Sequence, residues 1–155
     1  MKKKAKRIAE IMRNDSVDVV AQMIVDDFLF DSYEIYTDGA CKNGVGGCAW
    51  LILHKGAILK SGHTCFLSIN NDSVEAELRA VILALGDCPS SCVLDVYIDC
   101  QVVIGKIEDR KLGKLLRLYN KVSNDKVIRF HWIKAHHGNI YNEMVDSLAY
   151  SAIEC

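Results

Sequence analysis

The spacing of apolar residues changes along this chain in an order that few folds accommodate. Tyr33–Asp38 alternates as a strand does, and Cys48–His54 and Ala57–Phe66 are β-branched and apolar runs. The pair Lys55-Gly56 between them predicts a hairpin. Ser73–Leu85 then takes helical spacing, with Leu78, Val81, Ile82 and Leu85 on one stripe. Val93–Ile98 returns to a short apolar run, suited to a central strand buried on both faces. Residues 101–107 and 112–122 read as short helices separated near Gly113, Val127–Ile133 as a fifth strand, and Ile140–Ile153 as a closing helix. Gly39–Gly46 is rich in small residues and reads as a turn; Asp87–Ser91, with the single proline, reads as a loop. The order βββαβα(α)βα predicts an α/β fold, a mixed five-stranded sheet flanked by helices.

At 155 residues, half of them apolar, the chain suits one domain, here 33–155, behind a helical extension over 1–32. No apolar stretch approaches the ~18 residues of a membrane span, and no signal-peptide core follows the basic start. The expectation is a cytoplasmic protein with no membrane contact and no obligatory protein partner. Seven cysteines, an odd number at irregular spacing, read as free thiols in a reducing compartment. Cys88 and Cys92 lack the second pair that a zinc site needs.

Net charge is −1, so the overall balance is not that of a nucleic-acid binder. The distribution is uneven. Residues 1–13 carry six bases against Glu10, a net +5, and residues 14–34 carry six acids and no base. The basic arm suits a nucleic-acid tether or a solvated tail. Ser16 is a candidate cap for a helix over Val17–Leu29, with Val19, Val20, Met23, Ile24 and Phe28 in helical spacing.

Four carboxylates stand in separate local frames. Asp38 lies near the end of the first strand, and Asp99 at the end of the central one. Glu77 lies early in the first helix, and Asp146 beside the apolar stripe of the last. Carboxylates at strand ends and on flanking helices can converge, and converging carboxylates hold Mg²⁺. Two such cations ~4 Å apart serve in-line phosphodiester cleavage. Glu75 and Glu77 compete for one place. Two residues apart on a helix they point about 200° apart, and Glu77 borders the buried stripe.

In order, Thr37-Asp38-Gly39, Glu77-Leu78, Asp99-Cys100-Gln101, Trp132-Ile133-Lys134-Ala135-His136-His137-Gly138 and Asn142-Glu143-Met144-Val145-Asp146 resemble the signatures of the type 1 ribonuclease H family. The similarity spans about residues 33 to 153. It implies a ribonuclease H-like fold and an endonuclease that hydrolyses the RNA strand of RNA–DNA hybrids. It also implies two Mg²⁺ ions, replaceable by Mn²⁺, on Asp38, Glu77, Asp99 and Asp146. Asp38 would bridge both ions and Asp146 would serve the second. The frame selects His136 over His137 as the histidine that shuttles protons or helps eject product.

The resemblance places Gln101 and Asn142 where family members contact the hybrid or support the site. Asn43 and Ser73 are further candidates for substrate contact. Amides can read minor-groove edges and 2′-hydroxyls. Two departures stand out. Asp72 precedes Ser73 and would repel a phosphate, and only 36 residues separate Asp99 from His136, too few for the extra basic helix of some bacterial members. Lys111 and Lys114, with Arg117 and Lys121, are the nearest substitutes. Rival readings are a DNA-directed nuclease or resolvase of the same fold, and a hybrid-binding domain detached from a reverse transcriptase.

Overall fold

The computed structural model describes residues 28–154, together with Ala21 and Asp26. The basic arm and most of the Val17–Leu29 helix lie outside the described residues. Ala21, Asp26, Phe28 and Leu29 are helical, but Phe28 is exposed rather than part of a buried stripe.

The elements are β1 (Ser32–Lys42), β2 (Val45–His54), β3 (Ala57–Leu67), α1 (Ser73–Asp87), β4 (Val93–Ile98), α2 (Gln101–Glu108), a 3₁₀ turn (Gly113–Leu115), α3 (Leu116–Ser123), β5 (Val127–Trp132) and α4 (Ile140–Ile153). The sheet order is β3-β2-β1-β4-β5, with β1–β2 and β2–β3 antiparallel and β1–β4 and β4–β5 parallel. This is the mixed five-stranded sheet expected.

Both hairpins close through two residues with positive φ: Asn43 and Gly44 at 53° and 78°, Lys55 and Gly56 at 51° and 77°. That conformation matches the twist of the flanking strands. The expected turn over Gly39–Gly46 shrinks to Asn43-Gly44, because β1 continues to Lys42. Gly39 is small for another reason. A Cβ there would lie 2.2 Å from the backbone nitrogen of Glu77, so the missing side chain lets α1 press directly on β1.

The two faces of the sheet carry separate cores. On one, Ile35, Trp50, Ile52, Leu94, Val96 and Ile98 pack with Leu78, Val81, Ile82 and Leu85 of α1. On the other, Tyr36, Ala49, Leu51 and Leu53 pack with Val145 and Ala149 of α4. The latter helix packs on β1, β2 and β3. Consequently β4 is not buried on both faces, as its composition suggested: Asp95 and Tyr97 are only half-buried. Asp95 satisfies its carboxylate there with two 3.0 Å bonds from Arg129 and a 2.7 Å contact to His131.

The cysteines depart from expectation at one place. Cys41, Cys48, Cys88, Cys92 and Cys100 are free, but Cys65, exposed on β3, is disulfide-bonded. Among the described residues, no helix is long and apolar enough to cross a membrane.

Candidate active site

The last β1–β4 pair is Tyr36 with Tyr97, so Asp38 and Asp99 both fall just past the point where the two parallel strands part. Ligands in open α/β sheets bind beyond strand carboxyl ends at such points. Gly39 lets α1 close over the gap from one side, which brings Glu77 to Asp38. One ligand oxygen each from Asp38, Glu77 and Asp99 lies within 4.8 Å of the others. Asp146, on α4, lies outside that group of three but close enough to Asp38 to raise its pKa.

This arrangement is electrostatically costly as it stands. Asp38 is 5% exposed and Glu77 7%. Burial, with Asp99 and Asp146 adding to it, pushes Asp38 up to about 7. The Gly39 N–H donates to its Oδ1 at 2.9 Å and opposes the shift, as does a hydrogen bond with Glu77. Glu77 is pushed up as well, by burial first and by Asp38 second. Its Oε2 is buried with no hydrogen-bond partner. A buried carboxylate oxygen without a donor is expensive unless a cation meets it. Three converging hard oxygens, their like charges and that orphaned oxygen all fit a divalent cation of the Mg²⁺ type.

The other helix carboxylate resolves as periodicity required. Glu75 points away, accepting from Arg79 at 2.8 Å and facing Lys114 at 3.4 Å. Asp72 caps α1, accepting from Val74 and Glu75 N–H at 2.9 and 3.3 Å. Its charge therefore serves the helix N-terminus. Ser73 is exposed in the first turn of that helix, and Asn43 is exposed in the β1–β2 turn. Gln101 is exposed at the start of α2. Asn142 is different. It is 3% exposed, and its Nδ2 donates to Asp99 Oδ2 at 3.2 Å, so of the two roles open to it the geometry favours support.

His136 and His137 are both exposed in the loop between β5 and α4, with His136 held at φ 53°. Lys111 and Lys114 line an open cavity of about 240 Å³ between α2, the 3₁₀ turn and the start of α1, together with Lys106, Asp72 and Glu75. Lys111 also contacts Asp109 at 3.7 Å. Two residues carry roles that the sequence did not assign them. Asn139 caps α4 through Tyr141 and Asn142 N–H; an asparagine directly before a helical run is a readable signal. The indole N–H of Trp132 donates to the Asp99 carbonyl at 3.0 Å, which no local pattern announces.

Comparison with known proteins decides the family. The RNase H family model matches residues 31–154. The chain belongs to the RNase H family. Among curated relatives, ribonuclease H of Campylobacter jejuni strain 81-176 is 31% identical over 133 residues, spanning 77% of this chain and 89% of that protein. Ribonuclease H of Bartonella quintana is 33% identical over 141 residues, spanning 77% and 88%. Among solved structures, the N-terminal RNase H domain of Rv2228c from Mycobacterium tuberculosis, fused to maltose-binding protein, superposes with a TM-score of 0.67 at 20% identity. That match covers 80% of this chain and 94% of the other, and it supports the fold. This RNase H is thus an enzyme of the nuclease class, with its acidic cluster at the end of the central strands.

Proposed function

We propose that this RNase H cuts the RNA strand of RNA–DNA hybrids with two Mg²⁺ ions held by Asp38, Glu77, Asp99 and Asp146. The observation that carries the reading is the convergence of Asp38, Glu77 and Asp99 within 4.8 Å, with Glu77 Oε2 buried and without a donor. Bound there, the ions would supply the charge that lowers the pKa of an attacking water and stabilises the departing oxygen. The protein's own groups do the rest. Asp38, on the rigid strand β1, fixes the centre of the site. Glu77 and Asp99 hold the flanks, and Asp146 sets the outer side from α4. Water adds to phosphorus as the bond to the 3′-oxygen breaks; the proton passes to that oxygen, leaving 3′-hydroxyl and 5′-phosphate ends. His136 is the group we assign to move protons near the departing product. Mn²⁺, with similar oxygen preference, would substitute.

Substrate contact is assigned to Asn43, Ser73 and Gln101, all exposed around the carboxylates' elements, and to Lys111 and Lys114. Preference for hybrid would follow from 2′-hydroxyl contacts to one strand only. Incubation of purified protein with labelled hybrid, duplex DNA and duplex RNA tests this reading. Cleavage of duplex DNA in preference to hybrid would favour the rival DNA-directed nuclease.

Two substitutions separate the histidines. His136→Ala lowers turnover by roughly 10²-fold or less, the usual worth of a proton-transfer group, with melting unchanged. His137→Ala leaves turnover near wild type. The opposite ranking moves the catalytic role by one residue.

The residues beyond 34 are charge-balanced, so attraction to phosphates requires a local source. We assign it to residues 1–13, which add non-specific phosphate contacts. Deleting them weakens hybrid binding most at low salt and flattens its salt dependence, while turnover at saturating substrate holds. An unchanged salt slope transfers the role to Lys111 and Lys114, whose double alanine variant then reduces it.

A further inference from the structure

Asp99 is the least locally supported of the clustered carboxylates. It stands one residue past β4 and one before Cys100, the N-cap of α2, which makes no side-chain capping bond. Two long-range hydrogen bonds hold it instead. Asn142 Nδ2, from the first turn of α4, donates to Oδ2 at 3.2 Å. Trp132 Nε1, at the end of β5, donates to its carbonyl at 3.0 Å. We propose that Asn142 and Trp132 are positioning residues that clamp Asp99, one by its carboxylate and one by its backbone, so that the carboxylate stays turned toward Asp38 and Glu77.

The chemistry of each contact fits this role. A carboxylate only accepts, so the amide must present its NH₂ to Asp99; the reverse orientation would set oxygen against oxygen. Asn142 is itself fixed, because its backbone N–H donates to Asn139 Oδ1 at 3.0 Å and its side chain is buried. It precedes Asp146 by one helical turn, so both project from one face of α4. The seating of α4 therefore sets Asp146 directly and Asp99 through the amide. The indole performs the same task from β5, beside the 3.0 Å backbone bond from Ile133 N–H to the Ile98 carbonyl. Groups that orient metal ligands in this way typically govern affinity by 10–100-fold.

The inference rests on the metal reading of the carboxylates, and Mn²⁺ binding to the protein without substrate tests it. Free Mn²⁺ is followed by its paramagnetic resonance signal during titration, and each variant is melted in EDTA. Asn142→Leu, close in shape but without the donor, binds Mn²⁺ about 10–100-fold more weakly while keeping a cooperative melt. Wild-type affinity in that variant overturns the proposal. If Asn142→Leu fails to fold, Trp132→Phe decides: it keeps an aromatic ring, loses the N–H and weakens Mn²⁺ binding several-fold, and an unchanged affinity overturns the clamp. Asn139→Ala controls for helix stability. It lowers the melting temperature with little effect on Mn²⁺; an equal loss of affinity there means that α4 stability, not the amide, is responsible. If wild type takes up no Mn²⁺ at all, the carboxylate metal reading fails first and the clamp falls with it.

Discussion

Asp38→Asn abolishes Mg²⁺-dependent hybrid cleavage and at the same time stabilises the metal-free protein. Activity is lost because an amide oxygen cannot supply the negative charge that a hard cation requires from the central ligand. Stability rises because the carboxylate is buried among its own kind. Its folded pKa, about 7, lies well above its ordinary value near 3.8. The folded chain therefore holds that proton more tightly than the unfolded chain. This contribution to stability is fully present below about pH 4 and is lost as pH rises through about 7. Each unit of such a shift corresponds to about 1.4 kcal/mol, so the relief on neutralising the group amounts to a few kcal/mol. Thermal melts in EDTA at pH 5 and pH 8 check it. Wild type loses stability between the two, and the variant loses less. Glu77→Gln follows the same pattern, whereas Glu75→Gln retains activity, because Glu75 faces Arg79 and Lys114 instead. Equal damage from Glu75→Gln and Glu77→Gln would contradict the assignment of the helix face.

Mg²⁺ or Mn²⁺ reverses the same electrostatic penalty without any substitution. A cation that binds only the folded state stabilises it by RT ln(1 + [L]/Kd), about 2.7 kcal/mol at a hundred times Kd. Titrating either ion into EDTA-treated protein should therefore raise the melting temperature in a saturable way, and the rise should vanish in Asp38→Asn. Chelator should remove hybrid cleavage completely. Full activity in EDTA would sink the two-metal mechanism. Burial holds the Asp38 and Glu77 carboxyls toward their protonated forms and a metal takes the carboxylates, so the midpoint of the titration moves to lower metal concentration as pH rises.

Much of the fold could be read from residue spacing, because strand and helix periods differ and turns have their own chemistry. Val93–Ile98 and Ile140–Ile153 have the bounds expected of them, and Lys55-Gly56 is the hairpin turn it resembles. Gly39 misled, since a glycine after aspartate suits a turn. Its actual reason, contact with the backbone at Glu77, comes from an element nearly forty residues away. Glu77 over Glu75 was decidable, because helical geometry alone separates them by more than a right angle. Asp72 read as a repulsive charge near phosphate, yet its place directly before a helix made it a cap. Asp95 sat unremarked within an apolar strand. Its partners, Arg129 and His131, belong to a strand more than thirty residues on.

By itself the sequence determined the order of elements, the four carboxylates and the frame of signatures that marks the RNase H family. Those are properties of local period and residue chemistry, which travel with the chain whatever it packs against. Only tertiary structure decided that α4 covers β1 to β3 and leaves Asp95 and Tyr97 of β4 half-exposed. It alone placed Asn142 and Trp132 on Asp99 and brought Asp38, Glu77 and Asp99 within 4.8 Å. Burial, desolvation and like-charge repulsion act through space between groups distant in sequence. The pKa of Asp38 and the empty valence of Glu77 therefore arise only once the strands and helices have met.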